Sequence, residues 1–309
     1  MLMGALQHVI NGILPGFMEF LQQSINGLSL GFVYALIAIG YTMVYGIIGL
    51  INFAHGEIFM VGAYFGFFAA TTLKLPFIPT LLVAMVGAAL VGVIIEKIAY
   101  KPLRKSPKLS ILITAIAMSV MLQNIVRLKM SSDPQSYPET LLPQKVIHFA
   151  GLSIDNRQII IILISILLVI ILQIIVFKTK TGKAMRAASF DKDAAALMGI
   201  NVNYIISITF AIGSALAGAA GVLVGILYSS IDPYMGTMPG LKAFVAAVLG
   251  GIGIIPGALF GGIIMGLVET FSKVYISSSY SDAIAFSILI IILIVKPSGL
   301  LGKKTREKV

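Results

Sequence analysis

The sequence predicts an all-α integral membrane protein with about eight transmembrane helices and a broken, glycine-rich helical hairpin. Two observations lead to this fold class. Hydrophobic residues make up 58% and charged residues 11% of the 309 residues, whereas soluble domains carry about 25% charged residues. The basic residues are also gathered in three clusters beside long apolar segments. A soluble chain of this composition would expose apolar surface that only a bilayer can cover.

The three basic clusters hold 15 of the 22 Lys and Arg residues. Basic residues close to span ends mark the cytoplasmic side of a membrane protein. The clusters therefore predict a cytoplasmic C-terminus, and counting spans back from the first cluster predicts an external N-terminus. The net charge of +10 does not indicate nucleic-acid binding, because it lies in short blocks beside the membrane. The cluster members are Lys97, Lys101, Arg104, Lys105, Lys108; Lys178, Lys180, Lys183, Arg186, Lys192; and Lys296, Lys303, Lys304, Arg306, Lys308.

Seven segments are long and apolar enough to cross a bilayer, which requires about 20 mostly apolar residues. We treat residues 1–309 as one transmembrane domain. Residues 2–14 are expected to form an interfacial or partly inserted helix that Pro15 and Gly16 end. The long polar loop 129–157 is predicted to be external. The candidate spans are residues 23–49, 57–73, 77–96, 109–127, 158–177, 204–228 and 283–296.

Residues 241–270 form one further apolar region, interrupted by the string GGIGIIPG. Clusters on one side of the membrane require an even number of crossings between them, so this region should enter and leave on the same face. Irregular backbone at membrane depth is tolerated only where protein or a watery cavity covers it. We therefore expect two short helices that meet inside the bundle, with hinge candidates Gly250, Gly251, Pro256 and Gly257.

A ridge of small residues follows the segment 204–228 at four-residue spacing. It consists of Gly213, Ala217, Gly221 and Gly225. Ridges of this kind let helix backbones approach closely in lipid. Packing within this chain and contact with a second membrane subunit both remain open.

The segment from Asn52 to Glu57 places an amide, an imidazole and a carboxylate between two apolar spans. Ionisable groups at membrane depth usually face a cavity or a partner. A broken helix here would leave free backbone groups, as in transporter substrate sites. The alternative is a short cytoplasmic turn in which His55 and Glu57 contact only water and headgroups.

A polar stripe precedes that segment. Tyr34, Tyr41, Tyr45 and Asn52 follow one another at spacings of seven, four and seven, which predicts one face of the first long helix. Such a stripe lines a pathway, or it anchors the helix at the interface and bonds neighbouring helices. Together with His55 and Glu57 these residues are our candidates for a translocation path and gate.

The remaining acids are expected to have simpler roles. Asp232 and Glu269 are isolated in the sequence, which favours surface or capping positions over coupling to ions. Glu96 beside Lys97 is expected at the membrane interface.

No motif indicates an enzyme or a resident cofactor. The chain has no Cys, which excludes disulfides, Cys-ligated zinc and thiol catalysis. A P-loop needs GxxxxGK followed by Ser or Thr, and the nearest string, residues 299–305, has the wrong spacing. One His and one Glu two residues apart are too few ligands for a metal site.

The loop 178–201 is long for a connector and is predicted to lie on the cytoplasmic face. Asp191 can cap a short helix that includes Ala195, and Gly199 can end it. A small amphipathic helix in this position suits docking to a soluble partner. A lipid-surface helix, drawn to anionic headgroups by its lysines, is the alternative.

Four continuous strings resemble the LivH-type membrane permease of bacterial branched-chain amino-acid ABC importers, and the resemblance covers the chain from about residue 20 to its C-terminus. The strings are LSLGFVYALIAIGYTMVYGIIGLINFAHGE (28–57), GKAMRAASFDKDAAALMGIN (182–201), DPYMG (232–236) and KAFVAAVLGGIGIIPGALFGG (242–262).

The resemblance implies a subunit of an importer in the bacterial plasma (inner) membrane that works by alternating access. Its partners would be a second related permease subunit, two cytoplasmic ATP-binding subunits that carry ATP and Mg, and an extracytoplasmic substrate-binding protein that docks on the outer loops, including Asp232. Residues 187–200 would be the coupling helix, with Ala187, Ala188, Asp191 and Gly199 matching its pattern, although the Glu-Ala-Ala opening seen in many importers is missing.

Three other functions remain open at this stage. An ABC permease for another small solute, such as an amide or a sugar, would share this architecture. A self-contained secondary carrier or channel would transport without ATPases, and the scarcity of acids in the spans argues against coupling to protons or sodium. A purely structural scaffold subunit would tolerate changes in the segment from Asn52 to Glu57.

Overall fold

The structure is a bundle of long helices with two small antiparallel strand pairs at one end. The computed structural model describes the backbone of residues 2–104, 106–149 and 151–302 and, apart from Phe149, the side chains from residue 16 onward. The helices are α1 Leu2–Ile48, α2 His55–Thr71, α3 Phe77–Ile95, α4 Lys101–Leu103, α5 Lys108–Met130, α6 Asn156–Lys178, α7 Lys180–Phe190, α8 Lys192–Leu197, α9 Val202–Tyr228, α10 Thr237–Gly250, α11 Ile255–Tyr275 and α12 Ser281–Val295.

The all-α membrane fold predicted from composition is confirmed. Seven helical segments among the described residues are long and apolar enough to cross a membrane. Two further helices are shorter: α2 has 17 residues and α10 has 14. A π-helical turn, Glu96–Tyr100, joins α3 to α4, so that the two form one continuous helical segment.

The first helix runs from Leu2 to Ile48 without a break, so the predicted stop at Pro15 and Gly16 is wrong. Proline is compatible with helical φ and removes one backbone donor. The loss of one hydrogen bond does not end a helix of 47 residues. The part of α1 that is long and apolar enough to span begins at Gly16.

Two helices form the centre of the bundle. The most apolar windows of α1 and α9 are each 78% buried, compared with 22% for α5 and 11% for the last span. Helix α1 packs mainly against α11, and α9 packs mainly against α2 and α3. The peripheral helices α5, α6 and α12 therefore have apolar faces left for lipid or for other chains.

Glycine contacts make this close packing possible. A Cβ placed on Gly62 of α2 would run into the backbone of Gly218 in α9, and a Cβ on Gly266 of α11 would run into the backbone of Gly31 in α1. Backbones at such short separation gain dispersion contacts that larger side chains would prevent. The predicted ridge on α9 packs inside this chain in the same way: Gly213 meets Gly40, Gly221 meets Phe59 and Ala63, and Gly225 meets Tyr137.

The described members of all three basic clusters lie at one end of the bundle, which we call the basic end. The Nζ of Lys192 donates to the carbonyl of Ile48 at 3.1 Å, and Arg104 bonds Asn203 at the start of α9. The segment after Lys296 reaches the C-terminus of α10, where the amides of Leu300 and Leu301 donate to the carbonyls of Leu249 and Gly250. The cluster residues outside the described ranges are Lys105, Lys303, Lys304, Arg306 and Lys308.

Helices α10 and α11 form the predicted hairpin, but the expectation of two short helices that meet inside the bundle is wrong, because the turn at residues 251–254 lies at the basic end. Gly251 (φ +105°) and Gly253 (φ +91°) adopt a left-handed backbone that favours glycine. Gly250 and Gly257 face each other in contact across the turn, and Pro256 occupies the first turn of α11. The two arms differ in length, since α11 has 21 residues and is long enough to span the bilayer whereas α10 is not.

At the end of the bundle opposite the basic end, short strands and a buried arginine connect the loops. Strand β1 (Gln135–Ser136) pairs antiparallel with β4 (Ser230–Ile231), and β2 (Val146–Phe149) pairs with β3 (Leu152–Asp155). The side chain of Arg157 is buried and donates to the carbonyl of Leu142 and to the hydroxyl of Ser229, each at 3.1 Å. Because Ser229 caps α9, this cation lies at the negative end of that helix.

Replacing Gly62 with Ala should destabilise the protein, although Gly to Ala normally stabilises a helix interior by about 0.5–1 kcal/mol. The reason is that the new Cβ meets backbone atoms of Gly218, which cannot rotate away. The matched control is Gly16→Ala, because nothing lies within 4 Å of a Cβ at that helical position. Unfolding temperatures in detergent should shift in opposite directions, and an unchanged or raised value for Gly62→Ala would contradict the packing.

Candidate functional site

The segment between α1 and α2 is a tight, buried turn built on Asn52. Its Oδ1 accepts from the amide of Ala54 at 3.1 Å and from the hydroxyl of Tyr100 at 2.8 Å. Its carbonyl accepts from the amide of His55 at 3.0 Å. An Asn side chain that bonds the backbone two residues on mimics a backbone turn, so Asn52 both ends the connection and starts α2. The exposed fraction of Asn52 is 2%.

His55 and Glu57 lie inside the bundle, so the alternative of a solvated turn is wrong. Their exposed fractions are 1% and 2%. The imidazole of His55 packs edge-on against Tyr41, with 4.8 Å between the ring centroids. It also fills the space above Gly40, where any Cβ would meet the ring. The connection 49–54 thus turns back into the bundle and places the start of α2 beside Gly40 and Tyr41, about two turns before the end of α1.

The carboxylate of Glu57 is held by uncharged donors from two other helices. Its Oε1 accepts from Gln123 Nε2 at 2.7 Å, from Ser119 Oγ at 3.3 Å and from Thr237 Oγ1 at 3.4 Å. Ser119 and Gln123 belong to α5, and Thr237 is the first residue of α10. The Oε2 atom is buried and has no hydrogen-bond partner among the described residues.

A cavity of about 180 Å³ opens at this carboxylate, and we call it the Glu57 cavity. It lies between the start of α2, the start of α10 and the middle of α5. Its walls combine one carboxylate and three hydroxyl-bearing side chains with a larger apolar surface, a mixture typical of sites for small organic ligands. The lining residues are Tyr41, Phe53, Gly56, Glu57, Ile116, Ser119, Gly236, Thr237, Gly240 and Leu241.

The three tyrosines of the predicted polar stripe lie on one face of α1, but Asn52 does not belong to it, because α1 ends at Ile48. The four residues also have different partners. Tyr41 lines the Glu57 cavity, and half-buried Tyr45 lines a neighbouring cleft with Ile51 and Phe244. Asn52 bonds Tyr100. Sequence spacing could not show this, since the chain leaves the helix between Tyr45 and Asn52.

Tyr34 belongs to a separate, buried charge network around Glu269. The hydroxyl of Tyr34 donates to Glu269 Oε2 at 2.7 Å. Glu269 Oε1 lies 2.8 Å from Lys242 Nζ and 2.6 Å from Lys273 Nζ, and Lys242 also pairs with Asp282 at 2.7 Å. The expectation of an isolated surface or capping Glu269 is therefore wrong. The network joins α1, α10, α11 and α12.

Glu96 is also buried by its protein neighbours, and its predicted position at the membrane interface stays a prediction. It forms an ion pair with Arg104, and Ser207 of α9 donates to its Oε2 at 2.7 Å. Glu96 opens the π-helical turn whose last residue is Tyr100, the partner of Asn52. Single π-helical turns inside α-helices are frequently found at functional sites.

Asp232 shapes the turn before α10. Its Oδ1 accepts from the amide of Tyr234 at 2.8 Å, and its side chain is half-buried. The proposed docking role of Asp232 stays a prediction.

The segment 178–201 folds into two short helices, α7 and α8, separated by Asp191. As expected, Asp191 caps the second helix: its Oδ1 accepts from the amides of Asp193 and Ala194 at 2.9 and 3.0 Å. Gly199 follows α8 with φ +80°. Ala188 and Ala195 face the bundle and are buried, whereas Ala187 and Asp191 are exposed.

Three large apolar side chains of this segment project away from the bundle. The exposed fractions are 96% for Phe190, 89% for Leu197 and 83% for Met198. Burial, followed by the charge of Arg104, lowers the pKa of Lys192, whose ammonium caps the carbonyl end of α1. This end of the molecule therefore couples an exposed apolar patch to the last turn of α1.

Sequence reasoning missed the partners that complete these sites. Ser119, Gln123 and Thr237 are ordinary polar residues in apolar helices and gave no signal. Lys242 did give one, because a lone cation inside an apolar hairpin is a functional or structural candidate by itself. Arg157, the buried cation at the start of α6, was likewise visible in the sequence.

A bundle of spanning helices with polar groups around an internal cavity is the architecture of a multi-pass membrane permease. Residues 23–293 match the family described as "Branched-chain amino acid transport system / permease component". The chain belongs to this family.

Curated relatives agree with that membership. The chain is 47% identical over 304 residues to the high-affinity branched-chain amino acid transport system permease protein LivH of Escherichia coli (strain K12), which covers 95% of this chain and 99% of LivH. It is 44% identical to the corresponding protein BraD of Pseudomonas aeruginosa, over 96% of this chain and 100% of BraD. The ribose import permease protein RbsC of Escherichia coli (strain K12) matches at 32% identity over 38% of each chain.

Replacing Lys242 with Met should destabilise the bundle strongly. Removing the only partner from a buried charge costs about 3–5 kcal/mol, and the loss here should stay below that limit because Lys273 still pairs with Glu269. The double change Lys242→Met with Glu269→Met should recover part of that loss, since the central carboxylate is gone as well. Thermal unfolding of the single and double variants in detergent gives the coupling energy, and additive losses would contradict the network.

Proposed function

We propose that this chain is a permease subunit of an ATP-driven importer for branched-chain amino acids in the bacterial plasma membrane. The observation that carries the proposal is the 47% identity to LivH across nearly the whole of both chains. By analogy, the full transporter also contains a second related permease subunit, two cytoplasmic ATPases and an external substrate-binding protein. This chain binds no nucleotide itself, and ATP and Mg belong to the ATPase subunits.

The apolar patch of α7 and α8 supports docking to a soluble subunit at the basic end. Phe190, Leu197 and Met198 are nearly fully exposed on a segment that otherwise carries charged and small residues. Isolated exposed apolar residues are common, but a cluster of large ones typically marks a protein or membrane contact. We assign this patch to the ATPase and regard α7 and α8 as the coupling element.

Two chains of contacts lead from the coupling element to the buried turn at Asn52. The direct one runs from Lys192 to the carbonyl of Ile48, the last residue before the turn. The second runs from Asn203, at the start of α9, through Arg104 and Glu96 to the π-helical turn, whose Tyr100 hydroxyl bonds Asn52. A displacement of α7 and α8 by the ATPase would thus reach the start of α2.

The Glu57 cavity is our candidate for the translocation path. Its walls come from α2, α5 and α10, so a shift of the start of α2 would change its shape and access. The glycine turn 251–254 at the base of α10 is the candidate hinge, because its left-handed residues connect two helices with only four residues. The binding protein would dock at the opposite end, on the loop 131–155 and the turn at Asp232.

The basic end is assigned to the cytoplasm, which places the C-terminus inside. Lys and Arg near span ends are retained on the cytoplasmic side. Cysteines at Asp133 and Lys183 of this Cys-free chain, both exposed and at opposite ends, should therefore react with a membrane-impermeant maleimide from opposite sides. In intact cells only Asp133→Cys should be labelled, and Lys183→Cys only after permeabilisation. Labelling of both in intact cells would overturn the orientation.

Pull-down of the tagged full chain from gently solubilised native membranes tests the proposed function. We expect mass spectrometry to identify a P-loop ATPase and a second polytopic permease. After reconstitution with the binding protein, the complex should take up leucine in an ATP-dependent manner. Leu197→Glu and Asp191→Arg should lose the ATPase and retain the second permease, because a charge enters the apolar patch or its edge. Recovery of the chain alone from membranes in which it supports uptake would reject the importer.

The matched control is Glu139→Arg, which makes the same charge change as Asp191→Arg at an exposed position of the opposite end. It should leave the ATPase bound. Because Asp191 also caps α8, Leu197→Glu is the more direct variant: its side chain is 89% exposed, so the substitution tests docking without removing a cap. Unimpaired ATPase recovery with Leu197→Glu would contradict the docking surface.

A further inference from the structure

Three carboxylates are buried within the helical bundle, and only two of them have a cation beside them. Glu96 is paired with Arg104, and Glu269 is paired with Lys242 and Lys273. Glu57 forms no ion pair within 4.0 Å among residues 16–104, 106–148 and 151–302. All three have exposed fractions of 2% or less. Glu96 and Glu269 are thus neutralised by neighbouring cations, whereas Glu57 has no counter-charge among the described residues.

The uncharged donors around Glu57 stabilise the carboxylate but do not balance its charge. Gln123, Ser119 and Thr237 all donate to the same oxygen, Oε1, and leave Oε2 without a partner. A buried charge is costly unless it is both hydrogen-bonded and paired. Oε2 is an unpaired acceptor that can bind a cationic ligand, because no cation among the described residues lies within 4.0 Å of this carboxylate.

The position of Glu57 indicates where a cationic ligand would bind. Of the three buried carboxylates, Glu57 is the one that lines the 180 Å³ cavity, which holds space of a size suited to a small solute. The apolar part of the lining consists of Phe53, Ile116 and Leu241, with the ring of Tyr41. A ligand that fits must carry a positive group at one end and an apolar group at the other.

The starts of two helices add a third feature. Helix α2 begins at His55 and α10 begins at Thr237, and both first turns border the cavity. Helix N-termini carry partial positive charge and favour carboxylates. A carboxylate, two helix N-termini and an apolar wall are together complementary to a zwitterion with an apolar side chain.

We propose that the Glu57 cavity is a substrate site in the permease itself, in which Glu57 binds the ammonium group of the transported amino acid and the wall of Phe53, Ile116 and Leu241 holds its side chain. The inference rests on the proposed function and deepens it, because it assigns an amine-recognition step to this chain in addition to selection by a binding protein.

Ligand protection of a single cysteine tests the site in the assembled complex. Leu241→Cys places a thiol in the apolar wall of a chain that has no other Cys. Leucine should slow maleimide labelling of this cysteine, and 3-methylbutylamine, which keeps the ammonium, should do so as well. The compound 4-methylpentanoate has the leucine skeleton without the ammonium and should protect at least 10-fold less well, roughly the loss of one charge-assisted hydrogen bond.

Glu57→Gln keeps the shape of the side chain and removes its charge. In the Leu241→Cys background it should reduce protection by leucine to the level of 4-methylpentanoate, and in the reconstituted complex it should reduce leucine uptake about 10- to 100-fold. Glu139→Gln, the same substitution at an exposed position of the opposite end, should change neither readout. Recovery of ATPase with Glu57→Gln shows that the variant is assembled.

The outcomes separate this inference from the proposed function. If the wild-type complex imports leucine, and Glu57→Gln imports it equally well or 4-methylpentanoate protects as strongly as leucine, the amine site is wrong and the importer stands. If the wild-type complex lacks an ATPase or does not import branched-chain amino acids, the proposed function itself fails. Loss of discrimination between the two ligands in Glu57→Gln supports the site, because a merely structural role would not depend on the ammonium of the ligand.

Discussion

A carboxylate inside an apolar bundle must find its donors there, and this requirement organises the interior of the protein. Glu269 draws together Lys242, Lys273 and Tyr34 and so joins the short helix α10 to α1 and α11. Glu96 fastens the end of α3 to α9 through Arg104 and Ser207. Charges at membrane depth are costly to bury and costly to leave alone. Each of these acids therefore fixes the relative position of helices that are otherwise apolar.

The packing between those polar contacts depends on the absence of side chains. Helices in lipid gain little from the hydrophobic effect against each other, so their association depends on close dispersion contacts and on hydrogen bonds. Pairs such as Gly62 with Gly218 and Gly31 with Gly266 bring four helix backbones together at the centre. The small residues and the buried ion pairs are complementary: the former set how near the helices approach, and the latter set which helices meet and at what height.

These constraints connect the two regions to which function is assigned. The turn at Asn52 touches the cavity side of the bundle through His55 and Glu57, and it touches the basic end through Ile48 and Tyr100. It is short, its residues Asn52 and Ala54 are buried, and specific hydrogen bonds hold it to α2, so a displacement of the turn would displace the start of α2. In a transporter that couples movement of an ATPase at the basic end to opening of the Glu57 cavity, a rigid connection of this kind would transmit the movement.

The local features of this protein could be predicted from its sequence, because they depend on residues close together in the chain. Apolar segments of about 20 residues identified six of the seven spans; the seventh, α11, was expected to be a short helix, and the predicted span 57–73 is a helix of 17 residues that is not among the seven. GGIGIIPG identified the turn between α10 and α11, and Asp191 identified the cap of α8. The four continuous strings of residues also indicated the permease family. Pro15 was the local signal that misled, since one missing donor does not end a long helix.

Only the tertiary structure decided which polar groups meet. Tyr34 and Glu269 are 235 positions apart, and Glu57 and Thr237 are 180 apart. Periodicity places a residue on a face of its own helix but does not specify the helix opposite, so Glu269 looked isolated and Tyr34 looked like part of one pathway with Tyr41. That Glu57 is buried beside a cavity and has no cation from the described chain is likewise a property of three helices packed together, which none of their sequences contains alone.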